Sequence, residues 1–229
     1  MSKKMIVLAL AIASAAMFAL PSLALAETLH ISSPGAFTVS GGTGTLSTAS
    51  GTTIHCGEVG GSGSFESTTT GTVELKFGPT CTTTVLGSTK HCQSFAIGAP
   101  HNHPTETGVI WTTTLPFHLF TNSKKEAVVL FTPNAATGKF AHIHCETVVG
   151  TVNITVEGTG VAGKIKSPVC GAKSSTAVVD VNATAHGVQE AQEITKVTYG
   201  LKKGSENAAQ DTEATLSFTD KVERTLTCT

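Results

Sequence analysis

Thr72-Val73-Glu74-Leu75-Lys76-Phe77 alternates polar and apolar side chains without a break. A period of two places Val73, Leu75 and Phe77 on one face of an extended strand and the polar partners on the other. The rhythm recurs. Val152, Ile154 and Val156 alternate with Asn153, Thr155 and Glu157, and Leu216 and Phe218 with Thr215, Ser217 and Thr219. Threonine, 38 of 229 residues, suits the wet face, because its β-branch fits a pleated sheet and its hydroxyl stays solvated. Breaks at Gly41-Gly42, Gly60-Gly61, Gly158-Thr159-Gly160 and Lys203-Gly204 read as turns. Further strands are expected at 35–40, 107–115, 117–121, 126–132, 138–146, 176–183 and 194–201. Only 187–194 and 204–211 have a helix-compatible composition. The fold class is therefore all-β, a β-sandwich or barrel-like fold stabilised by disulfides.

Composition narrows the function. The chain is 40% hydrophobic and 14% charged, with net charge −1. That apolar content with so little net charge argues against disorder. The lack of a Lys/Arg run argues against nucleic acid, whose binding needs phosphate neutralisation.

The N-terminus reads as a secretory signal peptide, residues 1–26. Lys3 and Lys4 precede an uncharged run from Met5 to Leu20, Pro21 and Ser22 break it, and Ala24-Leu25-Ala26 offers a small-x-small cleavage site. The run is shorter than the ~20 residues of a spanning helix. Residue 27 is Glu27 rather than a lipidated cysteine. Removing Lys3 and Lys4 leaves 13 basic side chains against 16 acidic ones, a net −3. The expected location is secreted and extracellular, with no membrane span after cleavage.

An internal similarity suggests how the strands group. Ile54-His55-Cys56 recurs as Ile143-His144-Cys145, and nine of 28 ungapped positions between 54–81 and 143–170 are identical. One arrangement is two similar β-subdomains, 27–121 and 122–229, with a linker at Thr121-Asn122-Ser123-Lys124-Lys125. Against it, Val73, Leu75 and Phe77 fall opposite Ala162, Lys164 and Lys166, and a one-residue slip reverses which face is buried. The competing arrangement is a single β-domain with a recurrent composition.

All six cysteines, Cys56, Cys81, Cys92, Cys145, Cys170 and Cys228, follow the signal segment. In an oxidising compartment they read as three disulfides, with 15 possible pairings. No Cys-x-x-Cys favours a zinc ribbon or a redox site. Strand order alone would bring Cys56 to Cys81 and Cys145 to Cys170, leaving Cys92 with Cys228.

Several segments carry a resemblance. Gly71-Thr72-Val73-Glu74-Leu75-Lys76-Phe77, the cysteines at 81 and 92, Leu115-Pro116-Phe117-His118-Leu119, Leu130-Phe131-Thr132-Pro133 and a strand ending in Cys145 together resemble a group of uncharacterised secreted β-rich proteins of soil actinobacteria. The group has no assigned activity, so no catalytic residues carry over. The resemblance implies a Cys81–Cys92 bridge, and is compatible with Cys56–Cys145 and Cys170–Cys228 beside it.

The histidines offer the most chemistry. His101-Asn102-His103 and His142-Ile143-His144 are both His-x-His. Positions two apart on a strand share a face, so two such pairs could supply four imidazole ligands to copper or zinc. His55 is the repeat equivalent of His144. The plainer reading is solvated histidine, in a proline-flanked loop for His101 and His103 and on a wet face for His142 and His144. Gly158-Thr159-Gly160-Val161-Ala162-Gly163 fits the dinucleotide fingerprint formally, but Lys164-Ile165-Lys166-Ser167-Pro168 opens no helix, so a glycine-rich β-turn is expected. No Gly-x-Ser-x-Gly elbow occurs, and Asp180, Asp211 and Asp220 are the only aspartates. Asn153-Ile154-Thr155 and Asn182-Ala183-Thr184 fit the glycosylation pattern; the bacterial source that the resemblance implies would make them chance matches in a Thr-rich chain. Trp111 and Tyr199 give little aromatic surface for sugars.

The expected function is that of a secreted non-catalytic β-protein, envelope-associated, adhesive or ligand-binding, without a cofactor and without a nucleic-acid partner. Its partner would be a cell-envelope component or an extracellular ligand. The alternatives are an extracellular copper- or zinc-binding protein using the His-x-His pairs, and a hydrolase whose site is assembled from distant strands.

Overall fold

The computed structural model describes residues 29–95, 105–122, 124–147, 150–182 and 200–228. Among them the chain forms strands and no helix. In order the strands are β1 (Leu29–Ile31), β2 (Ala36–Thr48), β3 (Thr53–Cys56), β4 (Val59–Phe65), β5 (Thr70–Phe77), β6 (Thr82–Val85), β7 (Ser88–Ser94), β8 (Ile110–Trp111) and β9 (Leu115–Thr121). They continue as β10 (Ala127–Phe131), β11 (Lys139–Thr147), β12 (Gly150–Gly158), β13 (Val161–Ser167), β14 (Lys173–Ser174), β15 (Thr176–Val181), β16 (Leu201–Lys203), β17 (Glu206–Phe218) and β18 (Arg224–Cys228).

Two closed circuits of antiparallel pairing share β2 and β17. The first runs β2-β17-β15-β13-β10-β9-β5-β4 and back to β2; the second runs β2-β3-β6-β7-β11-β12-β16-β17 and back to β2. Each is an eight-stranded barrel, which removes the exposed edges of an open sheet. The shared strands are long enough to serve both. β2 and β17 pair with each other from Phe37↔Phe218 to Thr48↔Ala208. Along its other edge β2 pairs first with β4, over Ala36–Gly41, and then with β3, over Gly44–Ser47. β17 likewise pairs with β16 near Glu206–Ala208 and with β15 over Thr212–Ser217. A separate three-stranded sheet, β1-β18-β14, shares no ladder pairing with the circuits.

Two glycine pairs expected as turns lie inside strands. Gly41 is in β2 and Gly61 in β4. A Cβ on Gly41 would meet the Glu213 carbonyl, and one on Gly61, at φ +151°, would meet that of Glu74. Here glycine serves close passage of backbones. Of the segment 204–211, with its helix-compatible composition, residues 206–211 form the first half of β17, because β2 and β16 claim their backbone donors and acceptors. The strand expected over 107–115 shrinks to Ile110–Trp111. Beyond it, the Thr113 amide donates to Phe140 O at 2.8 Å and its hydroxyl to Lys139 O at 2.8 Å, drawing the chain out of the ladder. Residues 1–26, expected as a signal peptide, 187–194 and most of 194–201 lie outside the described residues.

Each barrel draws strands from both sides of residue 121. β9 and β10 pair across the expected linker, where the Asn122 side chain accepts from the amides of Lys124 and Glu126. The phase mismatch in the internal similarity is realised in the fold. Val73 is core inside the first barrel, while Ala162 joins Phe120, Val128 and Leu130 in a separate buried cluster.

The disulfides are Cys56–Cys81, Cys92–Cys145 and Cys170–Cys228. The implied Cys81–Cys92 bridge is not formed, although the Cys92 amide donates to the Cys81 carbonyl at 2.9 Å. The registers His55↔Thr82, Thr82↔His91 and Cys145↔Cys92 set Cys56, Cys81, Cys92 and Cys145 in one row across β3, β6, β7 and β11. A Cys81–Cys92 bond would strand the two outer cysteines three strands apart, beyond disulfide reach. The observed pairing uses all four.

Candidate functional site

The alternation that specifies the strands also decides what fills the barrels. Inward positions carry Phe, Leu, Ile and Val, and in the first barrel four rings meet edge to face. The Phe37 ring centre is 5.6 Å from Phe65 and 5.9 Å from Phe117, and Phe65 is 4.9 Å from Phe117. Phe218 completes the group, 6.5 Å from Phe37. Gly63 and Gly71 lie beneath these rings, where a Cβ would collide with Phe37 and Phe117 respectively.

This packing leaves space. The first barrel holds a cavity of about 110 Å³, bordered by Val39, Leu75, Phe131, Ile165, Val179 and Leu216 among others. These six are only partly buried although they belong with the apolar core. The second barrel holds a cavity of about 100 Å³ bordered by Leu46, Ile54, Phe77, Phe140, Ile143 and Val156 among others.

The small sheet contributes to the first cavity through Ile31 of β1, Ser174 of β14, and Arg224 and Leu226 of β18. Arg224 is buried there. Its Nε donates to Ser33 O, Nη1 to Val222 O and Asp220 Oδ1, and Nη2 to Pro34 O and Asp220 Oδ2, at 2.8–3.1 Å. All five guanidinium donors are therefore used. The guanidinium carbon also lies 3.8 Å above the centre of the Phe218 ring. Arg224 holds the Asp220 carboxyl down at about 2, helped by the Val222 amide. On the outer wall Lys166 bridges Glu213 at 2.7 Å and Asp180 at 2.9 Å, which raises its pKa, Glu213 acting most strongly.

The histidines expected as ligands are placed as follows. His142 and His144 alternate with buried Ala141, Ile143 and Cys145 on β11, so both point away from the core. His142 Nδ1 lies 3.4 Å from Thr155 Oγ1. His144 Nδ1 lies 2.8 Å from Asn153 Oδ1, and its ring stacks on Phe95 at 5.8 Å. His55 sits apart on β3, 3.1 Å from Thr45 Oγ1. His101 and His103 lie outside the described residues. Among the described residues no three His, Cys, Asp or Glu side chains gather as a metal-binding group. Of the glycine-rich segment 158–163, Gly158 ends β12, Thr159 and Gly160 form the turn, and Val161–Gly163 are already in β13, paired with β10.

The cavities are not legible in the sequence. Most lining residues are ordinary inward strand positions; the space arises because barrel closure leaves an axis that small inward residues such as Ala177 and Ala214 do not fill. The closest signal was the interleaving of small residues with large ones in β2, β15 and β17.

The protein is thus an all-β, disulfide-stabilised chain built as two barrels sharing a pair of long strands. No protein-family model, curated protein or solved structure matches it.

Proposed function

We propose that this is a secreted, non-catalytic binding protein that holds a small apolar molecule in the lumen of its first barrel. The observation that carries the reading is the cavity of about 110 Å³ with its apolar border. Eight-stranded barrels are wide enough to take one small ligand. A lumen that keeps apolar space unfilled forfeits dispersion contacts, which a ligand restores. An engineered apolar cavity of about 150 Å³ in another protein stays dry and binds benzene or xenon, and the space here is of the same order. Export is supported by the N-terminal targeting pattern and by three disulfides, which persist in oxidising compartments. No helix among the described residues is long and apolar enough to cross a membrane.

The test is direct. Benzene and xenon are titrated into the oxidised protein while methyl resonances are followed by NMR. Saturable shifts at Val39 and Val179, with a rise in Tm, are expected; at a hundredfold excess over Kd a ligand adds about 2.7 kcal/mol. Unmoved methyls with both probes refute the reading. Export is tested separately by N-terminal sequencing of protein from the medium, which should begin at Glu27.

A further inference from the structure

We infer that the two lumens form one elongated site for a neutral, unbranched hydrocarbon chain. The inference rests on ligand binding in the first barrel and adds the shape and charge of the ligand. Leu75, Phe131, Val181 and Thr212 border both cavities. The same four side chains, from β5, β10, β15 and β17, therefore stand between the two spaces. Leu75 and Phe131 are only partly buried. A chain one methylene wide can lie between such side chains and occupy both spaces, whereas a ring would sit on one side of them.

Charge is decided by the polar groups at the border. Thr212 Oγ1 donates to Thr43 O at 3.2 Å, and Thr112 Oγ1 accepts from the Leu75 amide at 2.9 Å. Ser174 Oγ pairs with Thr176 Oγ1 at 3.3 Å. Gln210 Nε2 donates to Asp211 O at 3.3 Å. Arg224, the cation at the first lumen, spends its five donors on Asp220 and three carbonyls. An ionised carboxylate entering the lumen would lose its hydration and find no uncommitted cation to replace it. A hydrocarbon gives up nothing of the kind.

The experiment uses the full oxidised protein and a series of n-alkanes from pentane to decane, with decanoate at pH 8 as the charged comparison. Methyl NMR reads Val39 and Val179 for the first lumen and Ile54 and Ile143 for the second. Affinity should rise about fourfold per added methylene, the ratio expected from burying one CH₂. The longer alkanes should move both methyl sets at one molecule per chain. Decanoate should bind at least a hundredfold more weakly than decane. An affinity ladder that stops while only Val39 and Val179 move overturns the joined site and leaves single-lumen binding standing. Decanoate binding within tenfold of decane overturns the charge assignment. If no alkane moves Val39, ligand binding itself fails and the inference falls with it.

Discussion

Cys92 stands opposite Cys81 in the β6–β7 hairpin, yet its sulfur is bonded to Cys145 on β11. The row Cys56, Cys81, Cys92, Cys145 can pair internally in two ways, and only the observed one leaves no thiol. This predicts the behaviour of Cys56→Ser. The Cys81 thiolate is then freed beside Cys92; it attacks the Cys92 sulfur, forms Cys81–Cys92 and releases Cys145 as the thiolate. Alkylation followed by peptide mapping should find a Cys81–Cys92 peptide and labelled Cys145. Labelled Cys81 with Cys92–Cys145 intact would refute the proximity on which this rests.

The small sheet is secured by Cys170–Cys228 and by Arg224. The disulfide joins residues 58 apart, so the chain-entropy model assigns it roughly 4 kcal/mol. Replacing both cysteines by serine should lower stability by about that amount in denaturant titrations. Arg224→Leu should cost about 2–4 kcal/mol, because Ser33, Pro34 and Val222 carbonyls lose their donor and the ring of Phe218 its cation. A change below 0.5 kcal/mol in either case would show that the sheet is not integral to the fold.

Asp220 and His118 predict two separate acid windows. The Asp220 carboxyl is held at about 2, chiefly by Arg224, below its unfolded value near 4. Its contribution is present above pH 4 and is lost as pH falls from about 4 to about 2. Asp220→Asn should flatten stability in that window specifically. Burial lowers the pKa of His118, whose ring stacks near Phe120 at 6.3 Å. The unfolded chain therefore takes up the proton first, and stability declines as pH falls below about 6.5. His118→Phe should remove this milder loss. Urea titrations from pH 7.5 to pH 2 measure both, and unchanged profiles in the variants would contradict the assignments.

Gly63 and Gly71 lie in β4 and β5, where a Cβ would meet first the backbone carbonyls of Thr72 and Ser64 and then the rings of Phe37 and Phe117. Gly63→Ala or Gly71→Ala should each cost about 1–3 kcal/mol by overpacking. Gly42, where a Cβ meets nothing within 4 Å and the backbone is not left-handed, serves as the control, and Gly42→Ala should be nearly silent. Equal Tm losses at Gly71 and Gly42 would rule out these close contacts as the cause.

Period-two alternation made the strands legible, because inside and outside are local properties of each residue. Val73, Ile154 and Phe218 are buried as their pattern requires, whereas Val152, two residues before Ile154 in the same alternation, is exposed. Which strands share a barrel was not legible, since that depends on partners far apart in sequence: β2 meets β17 across about 170 residues. Gly41 and Gly61 misled for the same reason, as the need for glycine comes from the opposite strand. The site was least visible of all. A lumen is an absence of side-chain volume, and no residue type marks it.

Ala177 gives the sharpest handle on that volume. It borders the first cavity and pairs in register with Leu216, while Val178 beside it alternates to the other face. Ala177→Leu places extra methyl and methylene groups into the lumen. Where the space accepts them, the gain of about 25 cal/mol per Å² of buried apolar area offsets most of the repacking strain, and stability should change by less than about 1.5 kcal/mol. Benzene affinity, by contrast, should fall more than tenfold, because the added groups occupy the ligand's volume. A well-packed position would behave in the opposite sense, with a large loss of stability. Calorimetric unfolding and benzene titration on the same preparation separate the two. A loss of several kcal/mol with benzene affinity unchanged would show that the free volume lies elsewhere.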